Sequence, residues 1–282
     1  MTRQPGRLPH KIFRSALTGL WGSRPGCRAG GLRISSIRTA DRRGILARYG
    51  QLLQPILRFD GEPPVDDRPP RRGLSIFGFP LRVDPFFFVT AWLIGGRQEP
   101  QWMILWVVLV IIGVLAHELG HAFAGRRLGM QPWIRLMAFG GMTGWMRPRP
   151  LTPWQQIGIS IAGPAVGITI GGAVLLGVMG GLFTAASPAV LRVANFIVWI
   201  NLGWGVLNLL PILPLDGGHI ASSLAEMVAG RRGRIAARAF SVVLTVAIGL
   251  WALLAGDWWI LILCAVFTYA NVQALRLETS VG

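Results

Sequence analysis

His117, Glu118 and His121 form an HExxH sequence, and it lies inside an almost unbroken apolar stretch from Trp102 to Ala124. On a helix, residues four apart share a face, so the two imidazoles can bind one metal ion. Glu118 lies beside that face, where a carboxylate can hold and deprotonate a metal-bound water. Membrane spans normally exclude such groups, because a charge at the bilayer centre costs about 3 kcal/mol on insertion scales. Two histidines and a glutamate in that setting imply use.

A catalytic zinc site usually has three protein ligands and one open position. Downstream of residue 73, the remaining candidates are His219 and the acids Asp84, Glu99, Asp216, Glu226, Asp257 and Glu278. Glu99 and Asp257 fall at the outer surface, Glu278 in the C-terminal tail, Glu226 on an interfacial helix, and Asp84 at the mouth of the first span. His219 reads as structural or interfacial. Asp216 follows the inner end of the fourth span in a Pro-Leu-Asp-Gly-Gly turn. Pro211 and Pro214 stop the helix, and Gly217 and Gly218 permit close approach to another element. Two readings of Asp216 stay open on this ground. It is an Asx turn or helix N-cap, or its carboxylate reaches into the bundle; an HExxH short of a third ligand favours the second.

The elements that must position these residues are membrane helices. The chain has 282 residues, is 52% hydrophobic and only 14% charged, with mean hydropathy +0.51, as a polytopic membrane protein requires. The predicted fold is an all-α six-helix transmembrane bundle with short interfacial strands on the cytoplasmic side. Spans are expected at Pro85 to Gly96, Trp102 to Gly125, Gln156 to Phe183, Val190 to Leu210, Ile235 to Leu254 and Trp258 to Leu275. The stretch LSIFGFPLRV, from Leu74, predicts two short strands around Gly78-Phe79-Pro80. Residues 129–153 read as a loop of alternating, Gly-rich character, and a short helix runs to Gly230.

Charge gives the orientation. Residues 1–72 carry fifteen Lys/Arg against five Asp/Glu, and no acid occurs in the first forty. This segment reads as a disordered Arg-rich tail, a transit-like segment or the product of an early start codon; deleting it is expected to leave activity intact. With the HExxH end of the second span inside, ten arginines from Arg126 to Arg276 fall on that side, against Arg97 and Arg192 outside, a positive-inside bias. Both termini are then cytoplasmic, with the cell membrane as the expected location. Nine residues separate His117 from Arg126, about 14 Å of helix, which puts the site inside the hydrocarbon. Arginines beside spans reflect topology and anionic lipid, so the net charge of +16 does not indicate nucleic acid. Cys27 and Cys264 lie far apart and offer no disulfide framework or zinc-ribbon spacing.

HELGH within a span, followed downstream by Asn208-Leu-Leu-Pro211-Ile-Leu-Pro214-Leu-Asp216-Gly217, resembles the site-2 protease family of intramembrane metalloproteases. Every fixed position of that family's HExxH and N-x-x-P-x-x-P-x-D-G patterns is matched, and the resemblance covers roughly residues 74–276, including Ala162-Gly163-Pro164. It implies one zinc ion per chain held by His117, His121 and Asp216, with Glu118 as catalytic acid/base and Asn208 near the scissile peptide. The implied partners are the lipid bilayer and a membrane-spanning or membrane-anchored protein substrate. The chain departs from larger family members in lacking an inserted peptide-binding or appended regulatory domain.

Other residues carry plainer expectations. An amide such as that of Asn208 also serves as glue between spans, and Asn195 and Asn201 read as packing residues. The small residues four apart at Gly163, Gly167 and Gly171 suit close helix packing, with Pro164 making a local break. The segment Ile134–Trp145 is either an inert surface loop or an acceptor for an unwound substrate as an added strand. The rival functions are a metal or ion transporter, which has no need for Glu beside His, and an inactive binding scaffold, which would have lost a ligand or the glutamate.

Overall fold

The computed structural model describes residues 74–96, 98–146 and 150–280. The expectations for residues 1–72, and for Arg97, Arg147 and Arg149 in the orientation argument, lie outside these ranges.

Prolines set the helix starts. Pro85, Pro100, Pro153 and Pro188 open α1 (Pro85–Gly95), α2 (Pro100–Arg127), α3 (Pro153–Met179) and α4 (Pro188–Ile197). There the missing N–H has no partner to lose and the fixed φ already matches the helix. Thr152 adds a capping box on α3: the Gln155 N–H donates to its hydroxyl at 3.3 Å, and the Thr152 N–H donates to Gln155 Oε1 at 3.2 Å. A π-helical turn, Val198–Gly203, carries α4 into α5 (Trp204–Asn208). Then come α6 (Asp216–Ala255) and α7 (Trp258–Ser280). Gly230 breaks α6 at φ +56, so residues 216–229 are the expected short helix and 231–255 the expected fifth span.

Among the described residues, five helical stretches are long and apolar enough to cross a membrane: α2, α3, α4 through α5, α6 and α7. The expected first span is α1, with 11 residues. At about 16 Å it is roughly half the ~30 Å hydrocarbon core, so five of the six expected spans reach full length.

Strands β1 (Ser75–Ile76), β2 (Phe79–Val83), β3 (Pro132–Met137) and β4 (Gly140–Trp145) form one sheet in that order. The first two are the strands expected around Gly78. β2 and β3 run parallel, with Leu81 opposite Ile134; parallel strands need a crossover connection, and α1 with α2 supplies it. The segment expected as a loop at 129–153 instead holds the β3–β4 hairpin. Phe79, Leu81, Ile134 and Leu136 pack with Phe87, Val114 and Ala122 as the buried core between sheet and α2.

The expectation of short interfacial strands did not include the helix they pack against. The sheet lies along α2, since burying its apolar side against a helix removes that side from polar surroundings. Trp145 packs where Gly125 of α2 leaves room. At the hairpin turn, Phe139 meets Trp259 in the first turn of α7, with ring centroids 6.3 Å apart.

Candidate metal centre

His117, Glu118 and His121 sit in the C-terminal half of α2, and each is at most 7% exposed. Their helix face is turned to protein. The element it meets is α3, and small residues make the meeting close. A Cβ on Gly120 would stand 2.5 Å from the Ala162 carbonyl oxygen; one on Gly163 would overlap His121 Nε2 and stand 2.8 Å from His117 Nε2. Only glycine fits beneath the two imidazoles.

Pro164, inside α3, disturbs the turn before it, because its ring displaces a carbonyl and it has no N–H to donate. In that turn the Ile159 carbonyl accepts a hydrogen bond from His121 Nδ1 at 2.7 Å. A carbonyl can only accept, so Nδ1 carries the proton, which makes Nε2 the nitrogen whose lone pair a neutral ring offers to a metal. Metal-ligating histidines are oriented in this way by a bond on the other nitrogen.

Asp216 reaches the same point from α6. It occupies the first helical position, and the cap residue is Leu215 with extended backbone. Its carboxylate turns to the histidines, with Oδ2 3.1 Å from His117 Nε2 and Oδ1 3.3 Å from His121 Nε2. The Asx-turn and N-cap reading of Asp216 gives way to this geometry. The loop before it is folded tightly back, since a Cβ on Gly217 or Gly218 would strike the backbone of Leu209 or Leu213. Leu213 is clamped on both sides: its N–H donates to Ser241 Oγ at 3.0 Å, and its carbonyl accepts from Asn271 Nδ2 at 2.6 Å. Ser241 and Asn271 are each 1% exposed.

The facing atoms are close together, since the two Nε2 atoms are also 3.1 Å apart and each meets a different oxygen of the Asp216 carboxylate. A tetrahedral zinc ion with ~2.0–2.1 Å bonds separates neighbouring ligand atoms by about 3.3 Å, and the observed separations of 3.1, 3.1 and 3.3 Å are of that size. The donor chemistry fits as well, because lone pairs on two imidazoles and a carboxylate converge on one point and call for a cation there. Among the described residues, His117, His121 and Asp216 are the group able to hold a metal.

Glu118 points to the sheet side. Thr143 Oγ1 on β4 donates to Glu118 Oε2 at 2.7 Å and lies 3.1 Å from the Glu118 carbonyl oxygen. A Cβ on Gly141 would overlap the Glu118 side chain. Sequence reading missed both Thr143 and the Ile159 carbonyl.

The other candidates are engaged elsewhere. Asp84 accepts from Arg135 Nε at 2.8 Å, Glu99 from Gln101 at 2.5 Å, and Asp257 from the Ile260 N–H at 3.0 Å. Glu226 pairs with Arg234 and Glu278 with Arg238. His219 lies one turn after Asp216, outside the metal-capable group. Asn208 donates to the Trp204 carbonyl at 3.0 Å and Asn201 to that of Ile197 at 3.0 Å, each within its own helical stretch; Asn195 is exposed. Gly167 and Gly171 face the backbone of Asn201 and Leu202, as close packing of small residues predicts.

Known proteins resemble this chain in sequence and in fold. Residues 177–253 match Peptidase family M50. Rip3 of Mycobacterium tuberculosis is 32% identical over 215 residues, 71% of this chain and 51% of that protein. A Synechocystis protein, sll0528, is 30% identical over 177 residues, 57% of this chain and 45% of its own length. Both bear zinc metalloprotease names. The resemblance to the site-2 protease family stands. The fold agrees too: the solved site-2 protease from Methanocaldococcus jannaschii superposes with a TM-score of 0.54 at 23% identity, covering 72% of this chain and 94% of that one. The chain spans about half the length of the curated relatives it matches.

Proposed function

We propose that the chain is a zinc-dependent intramembrane endopeptidase that cleaves transmembrane or membrane-anchored protein segments within the bilayer. One observation carries this reading: His117, His121 and Asp216 converge as a metal-capable group on apolar helices, with Glu118 next to His117 in the chain. A transporter path or an inactive scaffold has no need of that fourth residue. The matches to peptidase family M50 and to proteins with zinc metalloprotease names support the same reading.

In this reading His117, His121 and Asp216 hold one zinc ion. Bound zinc supplies Lewis-acid polarisation of the scissile carbonyl and lowers the pKa of water toward 7. Glu118 takes the proton of the attacking water on its carboxylate and delivers it to the leaving amine. Asn208 exchanges its bond to the Trp204 carbonyl for one to the scissile peptide, where an amide N–H stabilises the developing oxyanion. A helical substrate hides its carbonyls in its own hydrogen bonds, so it must unwind locally. β4 is the outer strand of the sheet, and its unpaired side offers the unwound segment a strand partner.

The same proposal includes both termini on the cytoplasmic side of the cell membrane, α1 as a sixth membrane-inserted helix, residues 73–282 as the protease domain and 1–72 as a dispensable tail. The test is cleavage of a tagged single-span substrate by purified full-length protein in liposomes, wild type beside Glu118→Gln, with zinc quantified in both. Zinc in both and cleavage only by wild type supports the proposal, with a loss for Glu118→Gln of at least about 100-fold. No zinc in either protein after mild extraction would overturn it.

A further inference from the structure

The β3–β4 hairpin turns one side to α2, and strand alternation determines which residues lie on it. Register places Pro132 opposite Trp145, Ile134 opposite Thr143, and Leu136 opposite Gly141 on that side. Ile134 and Leu136 are fully buried, and Trp145 fills the space at Gly125. Thr143 is the single hydroxyl on an otherwise apolar surface, and it meets the single carboxylate of α2's C-terminal half. Had packing been its whole role, a valine would have filled the same volume and suited a strand equally.

We infer that Thr143 is a positioning residue for Glu118, fixing which carboxylate oxygen is engaged and which is left to exchange protons. The hydroxyl has one proton and two nearby acceptors on Glu118. It goes to Oε2, at 2.7 Å with the better distance, while the backbone carbonyl lies at 3.1 Å. Oε1 lies beside Gly141 and takes no bond from Thr143, so the bond at Oε2 limits how far the carboxylate swings and leaves Oε1 as the oxygen to exchange protons in the proposed reaction. Gly141, two residues earlier on the same strand, leaves the room in which this orientation exists. The bond also ties the outer strand to the reacting group: a peptide that pairs with β4 draws on the strand that sets Glu118.

This inference rests on Glu118 acting as the acid/base, so its test must separate the two. Full-length wild type, Glu118→Gln, Thr143→Val and Thr143→Ser are compared in liposomes for kcat, KM, zinc content and thermal midpoint. Thr143→Val keeps the shape and loses the donor; Thr143→Ser keeps the donor. The expected result is a kcat about 10- to 100-fold lower in Thr143→Val, the scale of removing a group that orients a reacting one, with KM within about twofold and zinc unchanged. Thr143→Ser is expected to recover most of that loss. A kcat for Thr143→Val equal to wild type overturns the inference. So do equal losses in the Val and Ser variants, lost zinc in Thr143→Val, or an effect on KM alone. A second readout needs no turnover: the infrared carboxylate band of metal-free protein that vanishes in Glu118→Gln is expected to shift in Thr143→Val and return in Thr143→Ser. If wild type does not cleave, the protease reading fails, while the infrared comparison still decides whether Thr143 holds Glu118; an unmoved band overturns it.

Discussion

At the residue scale, the candidate metal-binding group and the glutamate beside it in the chain were legible because their relation is local or motif-borne. His117 and His121 are one helical turn apart, and the proline-flanked Asp216 stands in a turn built to approach another element. Their supports were not legible. The Ile159 carbonyl reaches His121 through a helix crossing, and Thr143 reaches Glu118 through strand register; neither relation is fixed by spacing along the chain. Gly163 was read as a packing residue, and its place beneath both imidazoles makes it more than that. Gly163→Ala puts a methyl where His121 Nε2 lies, and in a close-packed interior the ring must move. We expect the purified variant to lose most of its zinc and at least about 90% of its cleavage, a tenfold loss typical of disturbed ligand orientation. Zinc retained at the wild-type level would show that the two helices can part without cost to the centre.

At the element scale, the sequence announced helices more readily than strands. Long apolar runs marked α2, α3 and α4, and Gly230 separated the short helix from the span after it, while the prolines that open the helices went unread. β4 reads Gly-Gly-Met-Thr-Gly-Trp, with few of the β-branched and aromatic residues that signal a strand. Its glycines serve the neighbours, since Gly141 and Gly144 leave room for Glu118 and Trp133, so local preference gave way to packing. The Asp216 loop shows the same dependence on distant elements. Asn271 of α7 and Ser241 of α6 hold Leu213, and Thr245 and Thr268 extend the buried hydrogen-bonded group. Asn271→Leu would strand the Leu213 carbonyl, a cost of about 1–3 kcal/mol, in the loop that delivers a ligand. Chelator competition should then show zinc affinity about tenfold weaker, with Glu118→Gln, which leaves the clamp intact, as the unaffected control. Equal affinities would mean that the loop holds Asp216 without α7.

At the scale of the whole molecule, composition was enough to give a multi-helix membrane protein, and the packing of a sheet along α2 was the part it could not give. Apolar residues facing lipid and apolar residues facing a sheet look alike in a sequence, so nothing in Trp102 to Ala124 said that one side of the helix was covered by strands. The structure also makes the molecule unequal around its circumference. Beside α2, which is 28 residues long, stands α1, with 11 residues, joined to it by the Trp106 indole donating to the Ala91 carbonyl at 3.0 Å. A bilayer meeting a helix of about 16 Å either thins or leaves polar ends in hydrocarbon, at a cost of fractions of a kcal/mol for each ångström of mismatch. If α1 is inserted as proposed, the lipid around the protein has a shallow side there, next to the sheet that flanks Glu118. Acyl-chain length would then act as a control on the proposed cleavage. Cleavage should be several-fold faster in vesicles of short-chain lipids than in those of long-chain lipids at equal fluidity, and a rate independent of thickness would show that α1 does not deform its bilayer. A substrate span arriving on that side would meet water and headgroups earlier than elsewhere around the protein, and would begin to lose its helix before it touched the strand that receives it.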